Sequence, residues 1–402
     1  WLSATLALCS GMFLPYMTIT DTFTPYMVLG GLFFIISWKI REQKTSNVVK
    51  AFYVFLGLIG GLMALTRADG LFWLLGALFL VFVNKDEFSR GRRFQNFLLV
   101  VLGFLIVMLP WYLHNLHTYE SILPPGNSAM LWLRSYDDLF IFPASEITFD
   151  RWIDAGILPI LKDRLIATMV NLQTLAVITG SIFLIPFMAI GWWKKRKDIL
   201  ALIAAVMILV LLSVMSFVFP YAGARGGFFH ALAGTQVFLW AIVPVGLEEI
   251  IHWAKTYRKW QVDRAWKMFA PTLGIVAFVF SAIIFSSKLA KGAEGIAPWN
   301  SSLERYNQIE AGLSVHNGSP TSVIMVNDPP GYTLATGRPA VMIPTGGLDA
   351  IMSVSEKFDV EYLIVDAERV KIQNDIRESD LLDGKFMRIF EIEGAEIYEF
   401  VR

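Results

Sequence analysis

The chain has a single cysteine, Cys9, in 402 residues. That excludes an intrachain disulfide framework and any multi-cysteine zinc site. Charge is scarce as well. Lys, Arg, Asp and Glu make up 17% of the residues against 55% hydrophobic, a balance unlike that of a soluble globular domain. Basic and acidic side chains cancel, 34 against 34, so nothing favours a nucleic-acid partner. No targeting segment is visible. Trp1 already lies inside an apolar run, and earlier helices are expected upstream of it.

Long apolar runs take the place of the missing charge, and the mean hydropathy is +0.54. Nine segments stand out, roughly 1–15, 23–38, 51–66, 70–84, 95–113, 171–193, 199–219, 228–251 and 268–287. This pattern predicts a polytopic α-helical membrane protein with about nine transmembrane helices, residues 1–287. Residues 288–402 are mixed in polarity. Short β-like runs ("SVIMV", "EYLIVD", "AEIYEF") alternate there with helix-like stretches ("LDAIMSVSEKF", "QNDIRESDLL"), which predicts a small C-terminal α/β domain.

The connections give an orientation. "KIREQKTSNVVK", "KDEFSRGRR", "KKRK" and "KTYRKWQVDRAWK" each carry four or five Lys or Arg. The alternate short connections, 16–22, 66–69 and 220–227, carry zero, one and one. The positive-inside rule makes the basic set cytoplasmic. The 66–69 hinge, the long loop 114–170 and residues 288–402 are then expected outside, in a multi-pass protein of the cell (plasma or inner) membrane.

Arg67 and Asp69, in "LTRADG", are the only charges between residues 51 and 84. Two readings apply. Asp69 caps the following helix while Arg67 snorkels to headgroups, or Arg67 recognises a lipid phosphate through two parallel hydrogen bonds. Asp21, among Thr18, Thr20, Thr22 and Thr24, either caps the next helix or lines a cleft. In "GARGGFFH", Gly223, Gly226 and Gly227 permit positive φ and close backbone approach around Arg225. The turn suits an anion, or is an ordinary tight turn with an interfacial Arg. His230 follows as a further candidate, or as a side chain bonded to a neighbour.

Four stretches resemble a known superfamily. "ALTRADGLFWLLGALFL" is similar to the Leu-Thr-Arg-Pro-Asp/Glu-Gly element of GT-C glycosyltransferases, with Ala68 where Pro is common. "SGMFLPYMTITDTFTPYMVLGGLFF", "VMLPWYLHNLHTYESILPPG" and "FPYAGARGGFFHALAG" resemble further elements, in the same order and on the same faces. The superfamily includes the protein O-mannosyltransferases and the lipid A aminoarabinose transferases. The resemblance implies sugar transfer from a polyprenyl-phosphate donor to a lipid, glycan or protein acceptor at the outer face. It also implies a catalytic carboxylate in a first outer loop, which would lie upstream of Trp1. Asp21, Arg67, Asp69, Arg225 and His230 are the substrate-binding candidates. No cofactor and no metal is expected.

Other constellations weigh less. His114, His117 and Glu120 have ligand-like spacing but follow Trp111 and Tyr112, an interfacial aromatic anchor, at a helix exit. "AMLWLRSYDDLFIF" and "FDRWIDAGILPILKDRL" predict amphipathic helices on the outer surface, with Asp137, Asp138 and Asp150 solvated. "VNDPPGYTLATGRPAVMIP", flanked by Asp328 and Arg338, predicts strand, turn, strand, with a sugar-contacting loop as an alternative. "NSS" at Asn300 and "NGS" at Asn317 match the N-glycosylation pattern.

Two rival functions remain open from sequence: a transporter, and a non-catalytic membrane protein displaying the C-terminal domain. Carriers place ionisable residues mid-helix, whereas these charges sit at segment ends. The orientation is directly testable. A reporter active only outside the cytoplasm, fused after Arg402, is expected to be active; activity of a cytoplasmic reporter there would reverse every assignment of face.

Overall fold

The computed structural model describes residues 1–43, 46–84, 90–124, 126, 129–290, 301–316, 318–365 and 385–401. The stretch "QNDIRESDLL" and both glycosylation patterns, at Asn300 and Asn317, lie outside the described residues. The chain forms two compact units.

The first unit, Trp1–Asn127 and Leu158–Ser287, is helical: α1 (Leu2–Leu8), α2 (Leu14–Met17), α3 (Phe23–Glu42), α4 (Ser46–Thr66), α5 (Leu71–Val83), α6 (Arg90–Tyr119), then α8 (Ile157–Gln173), α9 (Ile185–Lys195), α10 (Ile199–Ser213), α11 (Pro220–Ala222), α12 (Phe228–Arg258) and α13 (Val262–Leu289), with α7 (Phe149–Ile153) in the second unit. Among the described residues six helices are long and apolar enough to cross a membrane. The stretches Leu2–Met17 and Ala68–Val83 are apolar but shorter. The segment 171–193, expected as one run, is interrupted. A π-helical stretch follows α8 over Thr174–Thr179, and the chain breaks before α9, with Ser181 and Ile182 at positive φ. Pro186 sits in the first turn of α9, where its missing N–H costs nothing, and there it starts a helix and does not prolong one.

Helices in lipid gain little from burying apolar side chains, because lipid tails are equally apolar; close backbone approach has to hold them together. Glycine supplies it here. A Cβ at Gly57 of α4 would lie 2.0 Å from the Val100 carbonyl oxygen of α6, and one at Gly103 of α6 would lie 2.2 Å from the Val54 carbonyl oxygen of α4. Gly246 of α12 and Gly191 of α9 make the same reciprocal fit, and Gly30 of α3 lies on the Gly234 backbone of α12. α12 thus contacts α1, α3, α9 and α10 as the central helix.

The second unit joins Ser128–Ile157 to Lys288–Arg402. Its sheet has the order β2-β1-β3-β5-β4, with β1 (Val323–Val326), β2 (Ala340–Met342), β3 (Val360–Val365), β4 (Phe386–Ile392) and β5 (Ala395–Phe400). β1 is parallel to β2 and β3, whereas β5 is antiparallel to β3 and β4. Strand alternation sends Ile324, Val326 and Ile364 to one face, under α14 (Ser301–Val315) and α15 (Pro329–Thr336). Met325, Leu363 and Val365 face α16 (Gly347–Phe358) on the other.

Several expectations for this unit are corrected. The stretch between β1 and β2 is not a plain turn but contains α15, because Asp328 caps it, accepting from Gly331 N–H at 3.1 Å, and Pro329 and Pro330 open it. Arg338 is buried, and its Nε donates to both oxygens of Glu310, at 2.9 and 2.7 Å. That makes it a strut in the domain, with no exposed role in sugar contact. "AMLWLRSYDDLFIF" forms only short 3-10 turns, Ala129–Trp132 and Tyr136–Phe140. Asp138, expected in solvent, is buried in a two-pronged pair with Arg151, at 2.9 and 3.1 Å. Burial works to raise its carboxyl, but the Arg151 guanidinium and the Arg134 N–H outweigh it and hold the group below the usual range. Ile141 bridges Thr345 in parallel, and Thr345 N–H donates to the Phe140 carbonyl at 2.8 Å. Residues read from sequence as a loop of the membrane part therefore extend the C-terminal domain.

The glycine contacts predict an asymmetry. Gly103→Ala forces a methyl into the α4 backbone and is expected to cost about 1–3 kcal/mol. Leu102→Ala, on an exposed face of the same helix, is expected to change little. Thermal melting of the purified protein in detergent compares the two; equal melting temperatures would refute the packing argument.

Candidate functional site

Three connections meet at one end of the helical unit. At the first, α4 ends at Thr66, and Arg67 leaves the helix in an extended conformation. Ala68–Gly70 then makes one 3-10 turn into α5. Gly70 is required there, since a Cβ would lie 2.1 Å from the Met63 carbonyl. This tight return points the Arg67 and Asp69 side chains at each other. Arg67 Nε donates to Asp69 Oδ1 at 3.0 Å and Nη2 donates to Oδ2 at 2.8 Å.

Asp69 is 6% exposed, so its carboxylate needs partners. Tyr26 Oη donates to Oδ1 at 3.3 Å, and Trp73 Nε1 donates to Tyr26 Oη at 3.1 Å. Tyr26 and Trp73 are fully buried. The acid is thus held by a cation on one side and a tyrosine–tryptophan relay from α3 and α5 on the other. The expectation that Asp69 caps α5 is corrected: its side chain makes no cap hydrogen bond, because both oxygens are committed to Arg67. The same fact revises the Arg67 expectation. Asp69 takes up the Nε–Nη2 edge of Arg67, so an anion there would meet only its remaining N–H groups.

The second connection is residues 18–22. Both the N–H and the hydroxyl of Thr22 donate to Asp21 Oδ1, so Asp21 serves its immediate neighbour and does not reach the N–H groups further into α3. Burial works to raise its carboxyl, but the Thr22 N–H and the facing His230 prevail and hold it below its ordinary value. His230 Nε2 lies 3.4 Å from Asp21 Oδ2, and Nδ1 lies 2.9 Å from the Gly226 carbonyl oxygen. A carbonyl only accepts, so Nδ1 carries a proton. Phe23 stacks on the imidazole with centroids 4.1 Å apart.

The third connection is the turn Gly223–Gly227 before α12. Arg225 has φ −92° and ψ 24°, and Gly226 has φ +108°, a region that only glycine enters freely. Arg67 Nη2 donates to the Gly227 carbonyl at 3.5 Å, while His230 binds the Gly226 carbonyl. The turn is therefore held by Arg67 from the first connection and by His230 from the first turn of α12, and Arg225 is exposed at its crest.

All five candidates named from sequence belong to this one constellation. Asp21 and His230 meet directly, Arg67 and Asp69 meet directly, and the backbone after Arg225 links the pairs. Tyr26 and Trp73 were not anticipated. A Tyr or Trp inside an apolar membrane segment has to find a partner for its polar atom, and that signal was available. His114 stacks on Trp111, with centroids 5.8 Å apart. Among the described residues there is no group of three side chains able to hold a metal ion. No protein-family model matches the chain, and no curated protein is similar to it.

The buried pair predicts a stability pattern. Arg67→Ala leaves Asp69 charged and uncompensated, at a cost of about 3–5 kcal/mol. The double variant Arg67→Met with Asp69→Leu is expected to recover most of that loss. Melting of the three proteins in one detergent decides it; a double variant as unstable as the single one would show that the cost lies elsewhere.

Proposed function

We propose that the chain is a GT-C-type membrane glycosyltransferase, moving a sugar from a polyprenyl-phosphate donor to an acceptor hydroxyl at the extracytoplasmic face. The observation that carries this reading is the joined constellation itself: an exposed Arg on a glycine turn beside an acid–imidazole pair, at the rim of an otherwise apolar bundle. The four basic connections favour the opposite end as cytoplasmic, with nine crossings and the C-terminal domain outside.

Each residue then has a role in the proposed reaction. Arg225, with the backbone around Gly226, contacts the donor phosphate and stabilises the charge that builds on it as the sugar leaves. Arg67 sets the position of that turn through Gly227 and adds its charge nearby. Asp69, Tyr26 and Trp73 fix Arg67. Asp21 and His230 line the cleft on the acceptor side and can accept or return a proton there. The carrier reading gains one feature, the broken segment 171–193. That segment contains no ionisable residue, whereas an ion-coupled carrier places such residues at its helix breaks.

A charge-assisted hydrogen bond is worth about 1.5–3 kcal/mol. Arg225→Ala is therefore expected to lower transfer roughly ten- to a hundredfold, and Arg225→Lys to retain part of it, as a point charge without the planar fork. The measurement is consumption of polyprenyl-phosphate-linked sugar by membranes holding each variant at matched expression. Parental consumption by Arg225→Ala would remove the proposed phosphate site.

A further inference from the structure

At the far end of α10 from the glycine turn, four consecutive cations, Lys194–Lys197, span the last turn of α9 and the start of its connection to α10. Acids offset only part of this charge. Lys194 pairs with Glu249 at 2.8 Å, and Asp198 pairs with Arg41 at 3.6 Å. Among the described residues no acid pairs with Lys195, Arg196 or Lys197.

Two apolar grooves begin at this turn. The larger, about 750 Å³, is walled by α9 and α10, with Ala189, Trp192 and Ala205 among its lining and Arg196 at its end. The smaller, about 350 Å³, runs between α3 and α12 and has Lys195 at its end, beside Asp198, whose charge is met by Arg41. Trp192, set edge-on against Phe238 with centroids 5.6 Å apart, separates them. Arg196 does not extend away from the bundle. Its guanidinium lies 4.5 Å from the Trp193 ring centroid, and Nη1 donates to the Trp193 carbonyl at 2.6 Å. Stacking and that bond fix the plane of the charge at the groove wall.

An apolar groove inside a bilayer does not by itself select a ligand, since lipid tails surround the whole surface and gain nothing on entering it. Selection has to come from the charged end. There the requirement is an anion that carries apolar chains, and two grooves leaving one basic turn match two chains leaving one headgroup. The geometry points to an anionic diacyl phospholipid bound at this turn, its phosphate on Lys195 and Arg196 and one chain in each groove. This site is separate from the proposed donor site and requires only that the bundle be embedded in a membrane.

The test uses the purified full chain in detergent, with dioleoylphosphatidylglycerol or dioleoylphosphatidylcholine added back and retained lipid counted by native mass spectrometry. One phosphatidylglycerol per chain is expected to persist at collision energies that strip phosphatidylcholine. The exposed double variant Lys195→Gln with Arg196→Gln is expected to lower that retention at least tenfold. Ala189→Trp, on the exposed side of α9, is expected to lower it with every charge intact, by filling the larger groove. Equal retention of the two lipids by the parent would overturn the site, as would parental phosphatidylglycerol retention by the charge variant. Loss in the charge variant without loss in Ala189→Trp would overturn the assignment of a chain to the larger groove.

Discussion

The two-pronged bond between Arg67 and Asp69 is the constraint on which the rest of the hinge end depends. It forms between residues two apart in sequence, so it needs only the 3-10 turn that Gly70 allows. It nevertheless reaches well beyond itself. Through Asp69 it holds the buried Tyr26 and Trp73, and through Arg67 Nη2 it reaches the Gly227 carbonyl. One local ion pair thereby fixes α3, α4, α5 and the start of α12 against each other. Inside a membrane such a pair cannot be traded for hydration, and each partner would be costly alone.

The bond also separates the two arginines that the sequence reading offered for an anion. A guanidinium whose fork is spent on a carboxylate is a positioning element. A guanidinium exposed on a turn can meet a ligand. In the proposed transfer Arg225 would meet the donor phosphate, and Arg67 helps to place the turn that carries it. Specificity in the proposed transfer thus rests on how rigidly Gly223–Gly227 is held as well as on the charge it presents.

Much of this was legible in the sequence, for a physical reason. A charge in an apolar stretch is conspicuous, and the pair Arg67 and Asp69, Asp21, and Arg225 are the only charges on their three short connections. Strands β1, β2, β3 and β5 were legible as short apolar runs, whereas β4 (Phe386–Ile392), whose apolar residues are interrupted by charge, was not anticipated. Other features left no local trace. Asp138 resembles any acid on a loop until Arg151 folds onto it. The interruption of 171–193 is set by backbone conformation at Ser181 and Ile182, residues of no special kind. The glycine contacts need two helices side by side, and hydropathy says nothing about which pairs will meet.

The bridge between Ile141 and Thr345 has a consequence for the order of events in synthesis. The two residues leave the ribosome about 200 residues apart, which at ordinary elongation rates is a delay of roughly 10–40 s. Throughout that interval, the aromatic cluster of Trp132, Phe149 and Trp152 has been made and its sheet has not. Until then the segment has only its own ring contacts and the Asp138–Arg151 pair to hold it together.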